Sequence, residues 1–122
     1  MDKAQALQYF WSGFGLDAYD EQTVPKGAQM PYITYSVSTG AIGDILYPTA
    51  SIWYRDTSWH DVTKKAEQVA EAIGYGFVAI PIDGGYLRIV KGSPFAQRMS
   101  DPSDAMIRRI VLNIQAEFMT AY

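Results

Sequence analysis

From Arg109 to Phe118 the chain alternates residue by residue. Ile110, Leu112, Ile114, Ala116 and Phe118 fall on one side of the repeat, and Arg109, Val111, Asn113, Gln115 and Glu117 on the other. A period of two on a β-branched background predicts a strand with one face on a core and the other partly solvated. Met106, Ile107, Ile110, Val111 and Ile114 also fit a 3.6-residue repeat, so a helix competes here. The polar residues at successive odd positions favour the strand.

Two turn-rich segments precede this run. Lys91-Gly92-Ser93-Pro94 reads as a hinge, and Ser100-Asp101-Pro102-Ser103-Asp104 as a turn. Upstream, Phe77–Ile82 and Tyr86–Val90 flank Asp83-Gly84-Gly85, a tight β-hairpin signal. Between Ser58 and Ile73 the repeat changes to helical. Trp59, Val62, Ala66, Val69, Ala70 and Ile73 share a stripe, and His60, Asp61, Lys64, Lys65, Glu67, Gln68 and Glu71 cover the rest. Ser58 with Asp61 resembles a capping box, and Gly74 supplies the C-terminal stop.

The N-terminal half is more broken. Residues 3–14 suit a helix capped by Asp2, with Ala4, Leu7, Phe10 or Trp11, and Phe14 along one stripe and Gly13 and Gly15 ending it. Leu16–Tyr19 fits a short strand, and the polar segment 20–30, with Pro25 and Gly27, a mobile loop. Tyr32–Val37 and Thr49–Tyr54 read as strands joined through a long tip, residues 39–48. That tip carries Ile42, Ile45, Leu46 and Tyr47, which is odd for a loop facing only water. It either folds back on its own domain or reaches a neighbouring subunit. The expected fold class is α+β: one domain over 1–122, with a single mixed, mostly antiparallel sheet of four to six strands and two helices packed on one face.

Composition narrows the function classes. At 122 residues the chain is long enough to bury a core, and a net charge of −3 disfavours tight neutralisation of nucleic-acid phosphates. Zero cysteines exclude a disulfide framework and thiolate metal sites. No uninterrupted apolar region follows Met1-Asp2-Lys3, so no signal peptide is expected, and no run approaches the ~20 apolar residues of a membrane span, so a soluble, cytoplasmic protein is expected. Three tryptophans, nine tyrosines and five phenylalanines are many for so small a chain. Either the core is rich in rings, or part of the surface meets other proteins.

Candidate chemistry is sparse. His60 is the only histidine, and Asp61 projects roughly 100° away from it around a helix, so the two do not make a base with its orienter. Asp83, Asp101 and Asp104 are explained by turns and caps and lack a calcium-loop spacing. Gly40-Ala41-Ile42-Gly43 lacks the Lys-Ser/Thr of a phosphate loop, and no Gly-x-Ser-x-Gly elbow occurs. Arg88, Lys91, Arg98, Arg108 and Arg109 gather in the last third, either as a phosphate-facing patch or as ion-pair and subunit contacts. No catalytic, cofactor or metal residue is expected.

Several fold-forming stretches together resemble small tail completion proteins of long-tailed bacteriophages, the tail terminators or tail-to-head joining proteins. They are Met30-Pro31-Tyr32-Ile33-Thr34-Tyr35, Thr49-Ala50-Ser51-Ile52-Trp53-Tyr54-Arg55 and Asp83-Gly84-Gly85-Tyr86-Leu87-Arg88-Ile89, followed by Lys91-Gly92-Ser93-Pro94-Phe95-Ala96-Gln97 and Asp104-Ala105-Met106-Ile107-Arg108-Arg109. The likeness runs over roughly residues 3–120. It implies a virion protein, assembled in the host cytoplasm, whose copies form a hexameric ring. Such a ring caps the tail tube and docks the head connector or completion protein. Genomic DNA passes through without specific binding, and no cofactor is implied.

A closed ring needs one patch to meet a different patch on the next copy. The tip 39–48 and the segment 91–104 are the expected surfaces, with Ile42, Leu46, Tyr47, Phe95 and Arg98 as contact residues and Tyr47, Phe95 and Arg98 as anchors. Another neck-ring component, such as a head completion protein, is the alternative in the same class. A small-ligand-binding enzyme domain with an aromatic pocket is the rival from another class; a deep pocket lined by Tyr and Arg would favour it.

Overall fold

A computed structural model describes residues 1–122. The elements are α1 (Lys3–Trp11), a 3-10 turn (Ser12–Phe14), β1 (Asp17–Asp20), β2 (Tyr32–Tyr35), β3 (Thr49–Arg55), α2 (His60–Ile73), β4 (Val78–Ile82), β5 (Gly85–Met99) and β6 (Ile107–Met119). The six strands form one mixed sheet in the order β1-β2-β3-β6-β5-β4. Only β1 and β2 run parallel; the other neighbours are antiparallel. The expected α+β class and strand number hold.

β6 is the strand predicted by alternation, and it lies between β3 and β5. Its even positions, Ile110 to Phe118, are all buried, while its odd positions are half-buried. The buried positions join Leu7, Phe10, Trp11 and Phe14 from the N-terminal region and Val62, Ala66, Val69 and Ile73 from α2 in one cluster of 23 residues. A helical 106–114 would have turned Leu112 away from this cluster, which is why the two-residue period prevails.

α1 touches both β1 and β4, the two terminal strands of the sheet, whereas α2 packs on β3, β5 and β6. A six-stranded sheet whose ends meet the same helix must curl strongly, in the direction that strand twist allows. Gln8 on α1 helps to seal this closure: its Nε2 donates to Ala18 O of β1 at 3.1 Å, and its Oε1 accepts from the buried Tyr35 hydroxyl of β2.

Helix boundaries depart from the pattern in instructive ways. Asp2 caps α1 as expected, within a capping box completed by Gln5. Ala4 is exposed, and Ala6 takes its place in the core. The α-helix ends at Trp11, with Phe14 delivered to the core by the following 3-10 turn. Ser58 does not cap α2. The N-cap is Trp59 without a side-chain bond, and Ser58 Oγ instead accepts from His60 N at 3.0 Å.

The larger correction concerns β5. The predicted hinge 91–94 does not interrupt it; the strand runs from Gly85 to Met99. Lys91 pairs with Ile114 and Ala96 with Leu112, so the four residues Gly92 to Phe95 face Asn113 alone as a large bulge. Asn113 Nδ2 holds it by donating to Pro94 O at 2.9 Å. A side chain at position 92 would stand 2.8 Å from Asn113 O, so glycine is needed at this close approach.

Candidate functional site

Loop 39–48 exists in its observed form because β6 is longer than β3. Pairing between them stops at Thr49 and Asn113, leaving the edge of β6 beyond Asn113 without a strand. The loop fills that edge. Leu46 and Ala116 exchange backbone bonds of 2.8 and 2.9 Å, Ile114 N donates to Pro48 O at 3.2 Å, and Ile42 N to Thr120 O at 3.0 Å. Side chains fasten it further: Gly43 N donates to Glu117 Oε2 at 3.0 Å, and Lys3 Nζ donates to Gly40 O at 2.7 Å and to Tyr122 O. The tip therefore folds back on its own domain through its backbone. Leu46 turns toward the core, while Ile42, Ile45 and Tyr47 stay exposed, Tyr47 at 72%.

The second predicted surface is the free half of β5. β4 pairs only with Gly85–Ile89, so Ala96–Met99 presents an unpaired edge on the side away from β6. Phe95 in the bulge is half-buried and packs against the core. Beside it runs a groove of about 250 Å³ between α2 and β5, floored by Ala66, Ala70, Phe95 and Ile110 and rimmed by Glu67 and Arg98. Arg98 lies 4.8 Å from the centre of the Trp59 ring, and no carboxylate pairs with it. Of the five expected contact residues, Ile42, Tyr47 and Arg98 are thus exposed, and Leu46 and Phe95 are turned partly inward.

The two surfaces lie toward opposite ends of one rigid strand. Leu46 sits beside Ala116 and the groove beside Ile110, six residues apart or about 20 Å along β6. Composition did not show this separation, because it depends on which part of β6 each segment adopts as partner.

The basic residues of the last third do not make one patch. Arg98 and Arg108 both lie on Trp59, Arg109 on Trp53 at 4.4 Å and Arg88 on Phe77 at 4.9 Å. Their register positions alternate between the two sides of the sheet. What sequence reading missed is this pairing of arginine with rings, together with a row Tyr19–Tyr32–Trp53 across three strands, at centroid separations of 5.8 and 6.3 Å. Tyr32 pairs with Trp53, and Tyr19 stands diagonally from Tyr32, two residues beyond its partner Asp17; no local pattern encodes this register.

His60 is exposed at the first turn of α2. No group of three His, Cys, Asp or Glu side chains stands together to hold a metal ion. Burial raises the pKa of Tyr35, assisted by Asp20, and of Tyr54, assisted by Asp61. The Ser103 hydroxyl and then its backbone N–H lower Asp101, and the Met106 N–H with Arg55 lowers Asp104. These shifts move each group away from the neutral range that proton transfer favours. Of the five main surface concavities, of about 240–490 Å³, none is lined by both Tyr and Arg. No helix is long and apolar enough to cross a membrane. No family model, curated protein or solved structure matches the chain.

Proposed function

We propose that this chain is a structural virion protein of a long-tailed bacteriophage, whose copies close into a ring that caps the tail tube and joins it to the head connector. The observation that carries this reading is a pair of different exposed surfaces, the tip 39–48 and the free half of β5, spaced along a single rigid strand. Surfaces that differ and point apart suit head-to-tail contact, which closes into a ring when the rotation allows it. The sequence resemblance supplies the tail and the sixfold count.

Large exposed apolar side chains support the same reading. Tyr9, Tyr75, Phe77, Met99 and Tyr122 add to Ile42, Ile45 and Tyr47, an apolar load that suits an assembling subunit better than a solitary one. A net charge of −3 gives the ring a mildly acidic character, past which DNA slides without sticking. The fold has a role in this: hydrogen bonds to β6 hold both the tip and the bulge of β5, which reduces the ordering entropy that opposes assembly.

Negative-stain micrographs of the purified protein, alone and mixed with tail tubes, test the proposal. Rings of sixfold symmetry, seated at one end of the tubes, are the expected result. Rings that bind isolated head connectors but never tubes would move the protein to the head completion side of the neck. Single particles under both conditions would refute the ring.

A further inference from the structure

We infer that the tip of loop 39–48 of one copy inserts Tyr47 into the Phe95 groove of the next copy, so that these two surfaces are the two halves of a single contact. The inference rests on the ring reading and goes beyond it by naming which patch meets which.

Shape is the first argument. The groove, at about 250 Å³, falls below the roughly 300–1,000 Å³ of small-molecule pockets and suits one large side chain. Its floor is apolar, from Ala66, Ala70, Phe95 and Ile110, and its rim is polar, the anatomy of an interface anchor site. Tyr47 is 72% exposed on a loop whose backbone is bonded to β6, so the knob is already held in place.

Charge is the second argument. The tip carries Asp44 and the adjoining Glu117. The groove offers Arg98, which has no carboxylate partner within its own chain, with Glu67 on the opposite rim. A second apolar depression of about 490 Å³, beside Tyr9, Phe10 and Phe14, has no charged residue in its lining and offers the acidic tip no partner.

Topology is the third. Knob and groove lie about 20 Å apart along β6, too far for the tip to reach the groove of its own chain while bonded to Ala116. The contact must be made between copies, and each copy keeps one free knob and one free groove until the ring closes.

The absence of native cysteine makes a direct test possible. Ile45→Cys and Ala96→Cys proteins, both keeping Tyr47, are prepared separately, each checked for an unchanged thermal transition, then mixed in equal amounts under mild oxidation. Disulfide-linked heterodimers are expected in at least tenfold excess over either homodimer, and the double variant is expected to give a ladder of linked species ending at the ring. Equal linking of Ile45→Cys to itself would show a like-to-like contact and overturn the pairing. Rings in micrographs without any hetero-linkage would overturn the pairing and leave the ring standing. A chain that sediments as a single subunit at every concentration and beside tail tubes would overturn both.

Discussion

Arg109 lays its guanidinium 4.4 Å from the centre of the Trp53 ring, directly across the β3–β6 ladder, while its Nε donates to Ser51 Oγ at 3.1 Å. Trp53 in turn donates through Nε1 to Thr34 Oγ1 at 2.9 Å, linking β6 to β2 through β3. A planar cation that stacks and donates in one direction is not replaced by an ammonium. Arg109→Lys is therefore expected to cost about 1 kcal/mol, lowering the melting temperature by about 4 °C. Scanning calorimetry checks this, and a lysine protein melting with the parent would show the stack to be incidental.

Gly85 begins β5 where β6 ends, and an added Cβ there would stand 1.8 Å from Met119 O. The obstacle is backbone, so the strands must separate. Gly85→Ala is expected to destabilise by about 3 kcal/mol. Gly13 has nothing within 4 Å of the same position and no positive φ, so Gly13→Ala should leave stability unchanged or raise it by about 0.5 kcal/mol. Urea unfolding of the two proteins provides the comparison. Equal effects would mean that close approach is not what the sheet requires at Gly85.

Tyr47 and Phe95 separate assembly from stability. Tyr47→Ala removes an exposed ring and should change folding stability by less than about 0.5 kcal/mol while weakening self-association. Phe95→Ala removes contacts with the core and should cost about 1–2 kcal/mol as well. Sedimentation velocity beside chemical denaturation distinguishes the two. If both variants assemble like the parent, these residues are not the anchors.

The turn between β5 and β6 should respond to acid. Asp101 and Asp104 have folded pKa values below the ordinary one, through bonds from Ser103 and from Met106 with Arg55. A depressed folded value means stabilisation fully present above the unfolded pKa of about 3.9 and lost as pH falls through the lower folded value. Protection of the Ser103 and Met106 amides, measured against the intrinsic exchange rate at each pH, should therefore fall below about pH 4, with the sheet still folded. In the Asp101→Asn, Asp104→Asn protein that pH-dependent loss of protection should be absent. Its persistence would assign the acid response to other groups.

Local patterning made β6, α2 and the Asp83-Gly84-Gly85 hairpin legible, since the alternation, the helical repeat and the glycine-rich turn each favour one backbone geometry over its rivals. It could not reveal the continuity of β5. Gly92 to Pro94 look like a stop when read alone, and they continue the strand only because Asn113, distant in sequence, binds the bulge. Ser58 suffered the same limit: a serine three residues before an acid suggests a cap, yet Asp56 Oδ1 accepts from Ser58 N and Ser58 Oγ serves His60 N, placing the helix start one residue later. Ile42 and Tyr47 were recognisable as misplaced apolar residues, whereas the direction in which Leu46 and Phe95 turn was not.

The amino-acid order alone settled the class of fold, because apolar spacing decides which face of each element must leave water. It also bounded the chemistry: one histidine and no cysteine limit the nucleophiles and metal ligands at hand. Only the tertiary structure decided where the two exposed surfaces stand. β6 outruns β3 at one end, and β5 outruns β4 at the other. Those mismatches in strand length arise from pairing between segments far apart in the chain, where hydrogen-bond register, and no local preference, determines which edges are filled and which stay open.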